Sequence, residues 1–341
     1  MSGSVKSRLG WNKLVAYAIP RHANNITYLL GGSVLVLGVL QGITGIILQQ
    51  FYHVHVEAPG AYESILDILT VTALAFVRSF HYWGAQVILA VIMLHLVRVF
   101  IGGAYKKPRE IQWLAGVSLL VLAYTWTFTG TVIKWDQEAV EALAHNTEVA
   151  EGIAALGYLS LPQLAHVPIL TGLYSAHVTL TPAVVLVVLG LHLLLIRTLG
   201  ISSPKIRSKD ESGISQGEMV PFSSHLKRML GFGLLLALVV GIISLLVPAP
   251  LGMRGIEGVE ISKPPWYLLW IFPLEDAFGI GVVPYVIGIF VLLLVAVPFI
   301  DRKDDTDPRR RPLMIAGLFI ILGIFISLMV IGALTPIVQH I

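Results

Sequence analysis

Apolar and polar positions fall in long blocks along this chain. Seven nearly unbroken apolar stretches stand out, at about 29–51, 77–101, 112–133, 175–199, 229–247, 283–300 and 312–334. Each approaches the roughly 17–25 residues that a helix needs to cross a bilayer. The pattern predicts an all-α integral membrane protein with seven transmembrane helices. Four of them precede a polar stretch at 205–228 rich in Ser, Gly, Lys and Asp, and three follow it. That stretch reads as a linker. It divides the chain into a surface segment (1–28), a four-helix domain (29–204), the linker (205–228) and a three-helix domain (229–341).

Basic residues fix an expected orientation. Lys6, Arg8, Lys13 and Arg21 precede the first span. Lys106, Lys107 and Arg109 follow the second, and Lys205, Arg207, Lys209, Lys227 and Arg228 follow the fourth. Arg302, Lys303, Arg309, Arg310 and Arg311 follow the sixth. The opposite loops carry few: none before Arg78 in the first, then Lys134, then Arg254 and Lys263. The positive-inside rule predicts a multi-pass protein of the cytoplasmic membrane with its N-terminus in the cytoplasm. The basic N-terminal residues lack an apolar core with a small-residue cleavage site, so an uncleaved surface-lying segment is expected.

Composition agrees. The 341 residues are 56% hydrophobic and 13% charged, against about 25% charged in soluble domains. The absence of cysteine excludes disulfides, thiolate metal sites and haem attachment through C-x-x-C-H. No nucleotide-binding motif occurs, and nucleic acid is not an expected partner.

Chemistry enters with histidine. His81 and His95 lie 14 residues apart in the second span, and His177 and His192 lie 15 apart in the fourth. Fourteen residues are almost four turns and a rise of roughly 21 Å, within a hydrocarbon core about 30 Å thick. Both helices run inward, so His81 and His177 share the outer level, while His95 and His192 share the inner one. An isolated intramembrane histidine is more often a buried hydrogen-bonding residue, but four paired in depth point to function. Two iron macrocycles, each held by two axial imidazoles, are the simplest occupants. Gly31 and Gly45 in the first span, and Gly116 and Gly130 in the third, repeat the 14-residue interval. A glycine at each level leaves room for a macrocycle edge. Arg78 and Arg98 flank the ligands, placed either to pair with haem propionates or to snorkel to the interface.

The two long outer loops are expected at about 134–174 and 248–282. The first opens with Lys134-Trp135-Asp136-Gln137 and continues into an Ala- and Glu-rich stretch suited to one or two short surface helices. The second holds Lys263-Pro264-Pro265-Trp266-Tyr267 and ends in Glu275-Asp276. Its prolines and aromatics suit the wall of a flat apolar pocket or a stiff interfacial loop.

These residues resemble the cytochrome b subunit of cytochrome bc-type quinol oxidoreductases. The likeness is greatest to the chloroplast and cyanobacterial form, there divided into a four-helix cytochrome and a three-helix subunit IV, here fused. The likeness includes L-G-G (30–32), Q-G-I-T-G (41–45), R-S-F-H (78–81), L-H-L-V-R-V (94–99), K-K-P-R-E (106–110) and T-G (129–130). It continues through W-D-Q (135–137), Y-S-A-H (174–177), H-L-L-L-I-R (192–197), G-I-S-S-P (200–204), P-P-W-Y (264–267), V-P-F-I (297–300) and R-R-P (310–312).

The resemblance implies two non-covalent b-type haems, with His81 and His177 on the outer iron and His95 and His192 on the inner one. It places Gly31, Gly45, Arg78, Arg98, Gly116, Gly130 and Arg197 around them. Quinol would be oxidised at an outer site including Pro265, Trp266, Tyr267, Asp136 and Glu275. One electron would leave to a Rieske-type iron–sulfur protein and onward to a c-type cytochrome. The other would cross through both haems to an inner quinone site, with protons passing to opposite sides. The family assembles as a homodimer in membrane lipid.

The chain departs from the family at several places. Pro265 stands where a proton-accepting glutamate is usual, leaving Glu275, Asp276, Asp136 or Glu138 to take the proton. Thr131 and Lys134 replace a Tyr and a Pro, and Gly172 or Leu173 stands where an Arg is common. Leu29 replaces the cysteine that holds an extra inner haem in the chloroplast branch, which leaves only non-covalent binding there. Alternative readings are the same dihaem core in a quinone-linked complex without the usual Rieske partner, a nitrate- or formate-enzyme anchor, or a histidine-lined transporter.

Overall fold

The computed structural model describes residues 17–55, 60–154, 168–202 and 219–337. Most of the expected N-terminal surface segment, including Lys6, Arg8 and Lys13, lies outside the described residues. So does most of the linker, with Lys205, Arg207 and Lys209.

Among the described residues, seven helices are long and apolar enough to cross a membrane, as the hydropathy pattern predicts. They are α1 (Ile26–Leu48), α3 (Thr72–Ile101), α4 (Glu110–Val132), a fourth composite span, α8 (Phe222–Leu246), α10 (Val283–Ile300) and α11 (Pro312–Leu334). The composite span consists of α6 (Ile169–Ser175), a π-helical turn at Ala176–Leu180, and α7 (Thr181–Leu199). Their side chains stay largely exposed, among them Leu186, Val187, Leu245, Leu246 and Leu292. Helices satisfy every backbone hydrogen bond internally and can offer such faces to hydrocarbon. Shorter helices lie between the spans: α2 (Ala61–Thr70), α5 (Gln137–Ala154) and α9 (Phe272–Phe278). A two-stranded antiparallel ladder, β1 (Ala18–Pro20) with β2 (Met219–Pro221), joins the chain before the first span to the chain before the fifth.

Helix α1 packs along α3, and α4 packs along α7. The second and fourth spans face each other through the ring edges of His81 and His177. The C-terminal half does not stand apart, because α8 packs on both α1 and α3, and α10 packs on α4.

Two polar joints fix the halves. At the basic end, Asp301 accepts from the Tyr105 hydroxyl at 2.5 Å and pairs with Lys106 at 2.7 Å and Arg311 at 3.2 Å. Lys106 and Arg311 were expected only as topology-setting loop charges, yet both are buried. The expectation stopped short because positive-inside counting is blind to partners far along the chain. At the opposite end, Arg78 donates to the carbonyls of Ala249 at 2.9 Å and Pro250 at 2.7 Å. Ser79 Oγ accepts from Ala249 N, and Trp83 Nε1 donates to the Val247 carbonyl.

Candidate functional site

The four histidines are set against the four glycines one to one. A Cβ built on Gly45 would lie 3.3 Å from His81 Cε1, on Gly31 3.1 Å from His95, on Gly130 2.7 Å from His177, and on Gly116 3.5 Å from His192. Each imidazole on the second or fourth span thus leans on a backbone of the first or third. Hydrogen bonds orient the rings. His81 Nδ1 meets Thr44 Oγ1 at 2.9 Å, and this hydroxyl itself donates to the Leu40 carbonyl. His177 Nδ1 meets the Trp126 carbonyl at 3.0 Å and Thr129 Oγ1 at 3.2 Å. His192 Nδ1 meets the Gln112 carbonyl at 3.1 Å. An imidazole engaged at Nδ1 presents Nε2 for ligation. His95 Nδ1 is buried without a partner.

The His81 and His177 ring centres are 6.3 Å apart, with ring planes at 74°. A metal–nitrogen bond of about 2 Å on each side, plus about 1 Å from nitrogen to ring centre, gives roughly 6 Å for two imidazoles on one ion. Among the described residues no three His, Asp or Glu side chains converge as a compact ion cage. Paired imidazoles seated on glycines suit the axial positions of an iron macrocycle.

The interval of 15 between His177 and His192 has a structural cause. In a regular helix one extra residue turns a side chain by about 100°, so intervals of 14 and 15 are not equivalent. The fourth span absorbs the extra residue in the π turn at Ala176–Leu180, which contains His177. Pro182 follows directly. Proline lacks an N–H and crowds the carbonyl four residues back, and widening the helix at that point relieves both. The proline beside the histidine was the sequence signal for this feature, and periodicity counting passes over it.

Around the first pair, Tyr267 is fully buried and its hydroxyl lies 3.3 Å from Thr131 Oγ1. Thr131 follows Gly130, the residue beneath His177, so the P-P-W-Y segment docks one residue from the seat of that imidazole. Trp266 Nε1 donates to Gln86 Oε1 at 2.7 Å, and the Tyr267 ring meets Tyr124 edge-on at 5.7 Å. Tyr267 is thus enclosed by protein, while Trp266 is tied to Gln86 and stays half-buried.

The acidic candidates separate clearly. Asp136 is almost wholly buried and caps α5 by accepting from Ala139 N at 3.1 Å. It also accepts from Gly252 N at 2.8 Å and pairs with Lys134 at 3.0 Å. Trp135 takes a positive φ of 56° to turn this corner. Glu275, on α9, lies 3.2 Å from His145 Nδ1. Glu138, in the first turn of α5, pairs with Lys134 and remains about one-quarter exposed. The expected surface helix is α5 itself, and residues 155–167 lie outside the described residues. Sequence reasoning missed Gln137 and Glu141, one α5 turn apart, which hold the second long loop. Gln137 Nε2 donates to the Val259 carbonyl at 2.7 Å, and Glu141 accepts from Ile261 N at 2.9 Å and Ser262 N at 3.0 Å.

The flanking arginines hold protein groups. Besides the carbonyls held by Arg78, the Arg98 guanidinium sits 3.4 Å above the Tyr28 ring, and that of Arg197 lies 5.1 Å from the Tyr17 ring.

Fold and site together define a multi-pass membrane protein built around paired intramembrane imidazoles. Comparison with known proteins narrows this further. The family profile described as cytochrome b (N-terminal)/b6/petB matches residues 86–253, and that described as cytochrome b (C-terminal)/b6/petD matches residues 259–341. A cytochrome bc complex cytochrome b subunit from Chlorobaculum thiosulfatiphilum is 32% identical over 333 residues, covering 91% of this chain and 74% of that protein. A menaquinol:cytochrome c reductase cytochrome b subunit from Geobacillus thermodenitrificans is 31% identical over 207 residues, 57% of this chain and 92% of that one. A solved chain from a hyperthermophilic respiratory Complex III shares the fold, with a TM-score of 0.80 at 22% identity over 98% of this chain and 90% of that one. The chain belongs to the cytochrome b family of bc-type complexes, both halves included. It is a membrane oxidoreductase subunit, and its family implies b-type haem. The transporter reading and the nitrate- or formate-enzyme anchor give way to this membership.

Proposed function

We propose that this subunit oxidises quinol beside the His81–His177 pair, on the outer side of the cytoplasmic membrane, and reduces quinone beside His95–His192 on the cytoplasmic side. His81 and His177 hold one b-type haem and His95 and His192 a second; when bound, the two supply stepwise one-electron transfer across the membrane. The chain's own part is positional. The glycines seat the imidazoles, Thr44, Thr129 and the carbonyls of Trp126 and Gln112 orient them, and the buried Tyr267 with the half-buried Trp266 walls the quinol pocket. Protons released outside and taken up inside couple the reaction to proton translocation.

The inner quinone site, beside His95 and His192, belongs to the same reading. The partners are a Rieske-type iron–sulfur protein and a c-type cytochrome, in a homodimeric complex. The domain division and the cytoplasmic N-terminus belong to the same reading.

The observation that carries this function is the one-to-one seating of four histidines on four glycines, with the ring centres of the first pair 6.3 Å apart. Reduced-minus-oxidised spectra of the purified complex test it. His81→Ala removes one b-type component and leaves the other, and His95→Ala does the reverse. Two unaltered components in both variants would refute the ligand assignment.

A further inference from the structure

His145, on α5, has a carboxylate at each edge of its ring. Nε2 lies 3.2 Å from Glu260 Oε1, and Nδ1 lies 3.2 Å from Glu275 Oε1. Glu260 belongs to the second long loop and Glu275 to α9, so one imidazole touches three segments. The two glutamates are 15 residues apart, and the P-P-W-Y segment at 264–267 lies between them. The ring therefore closes the neck of the loop that carries the buried Tyr267.

Imidazole chemistry makes that closure conditional. A neutral ring has one N–H, and its other nitrogen carries a lone pair, while an ionised carboxylate only accepts. With the ring neutral, one glutamate would face it lone pair to lone pair, and only one flank of the loop could be held. The imidazolium donates from both nitrogens and holds both flanks. The closed arrangement thus binds one proton more than the open one, so closure is favoured as pH falls. Histidine changes charge between about pH 5 and 8, a range in which glutamates are largely ionised.

Neighbouring charges are engaged elsewhere. On α5, Glu141 stands one turn before His145 and accepts from Ile261 N, Ser262 N and the Ser262 hydroxyl. On the loop, Lys263 donates to the Ala333 carbonyl, and Arg254 pairs with Glu63. The turn at Ile280–Val282, which packs on α5, carries no titratable side chain. Among the described residues, the charged groups set against the His145 ring are therefore Glu260 and Glu275. The ring itself is 37% exposed, which opens the site to protons from water.

We propose that His145 is a proton-operated clamp on the P-P-W-Y loop. Protonated, it ties Glu260 and Glu275 together against α5; deprotonated, it releases one of them. The order of the loop then depends on the acidity of the face where α5 lies. It rests on the function proposed above in one respect only, that protons released at that face would tighten the loop that walls the pocket.

Hydrogen–deuterium exchange of the intact complex in detergent tests this from about pH 5.5 to about pH 8.5. Each rate is divided by the intrinsic exchange rate at the same pH. Wild-type protection across residues 260–275 should fall by about tenfold over the series, the scale of one charge-assisted bond discounted for partial exposure. Glu260→Gln should abolish that dependence and keep the loop protected at the alkaline end, because an amide N–H can donate to the neutral ring's lone pair. His145→Phe, which keeps a ring without donors, should leave the loop poorly protected at every pH. Wild-type protection that is level across the series would overturn the proposal, and so would a Glu260→Gln series that tracks wild type. Exchange reads the clamp without turnover, so the quinol reading can fail while the clamp stands.

Discussion

Gly130 faces His177 so closely that a Cβ there would fall 2.7 Å from the ring's Cε1 atom. Gly116 faces His192 more loosely, with the corresponding distance at 3.5 Å. The first value lies inside any real carbon–carbon contact and the second is ordinary van der Waals approach. Two glycines that look equivalent in the sequence therefore carry different constraints.

The first prediction follows from that inequality. Gly130→Ala should displace the His177 imidazole and perturb or abolish the outer b-type component, while Gly116→Ala keeps the inner one. Both changes favour the helix by about 1 kcal/mol, so propensity does not explain a loss confined to one of them. Reduced-minus-oxidised spectra read the result directly, and equal effects would contradict the geometry.

Arg78 bears on stability. Its two charge-assisted bonds to Ala249 and Pro250 join the second span to the loop after the fifth. Arg78→Ala removes both and leaves the buried Ala249 carbonyl unpaired, at an expected cost of about 1–3 kcal/mol. Thermal unfolding in detergent should show a clearly lowered midpoint. Arg78→Lys should recover part of it, since an ammonium reaches one carbonyl more easily than two.

Asp301 gives a pH prediction. Burial pushes its carboxyl up, but the bonds from Lys106, Tyr105 and Arg311 outweigh burial and hold it below its ordinary value of 3.8. A depressed native value means stability that is fully present above 3.8 and lost as pH falls through the depressed value. Asp301→Asn should therefore be less stable than wild type at neutral pH by a gap that stays constant down to about pH 4. The gap should narrow only in stronger acid; narrowing already between pH 7 and 5 would contradict the assignment.

Much of this architecture was legible from residue order. Seven spans follow from the length of apolar runs, because a bilayer permits few backbone solutions. The histidine and glycine intervals marked four matched levels on neighbouring helices, since both obey helix geometry, but that each glycine lies against an imidazole only the packing shows. What periodicity could not show depends on contacts between distant segments. Lys106 and Arg311 read as surface charges until Asp301 is brought to them. Trp266 reads equally well as a belt residue until Gln86 is found beneath its indole. Asp136 and Glu138 are both acids near a loop corner, and only packing reveals that the former is a helix cap while the latter retains a path to water. The antiparallel pairing of Ala18–Pro20 with Met219–Pro221 joins segments some two hundred residues apart in the chain, which no local pattern encodes.

The widened turn at Ala176–Leu180 makes chain length between the fourth span's histidines a mutational liability. Removing any single residue from that interval would restore a uniform α-helical screw, yet Pro182 would still deny it a continuous backbone ladder. Adding one would swing His177 away from its cradle. The second span carries no such bulge among its described residues, so single-residue deletions and insertions should be purged from the two spans for different reasons: in one they break a phase, in the other they break a compensation.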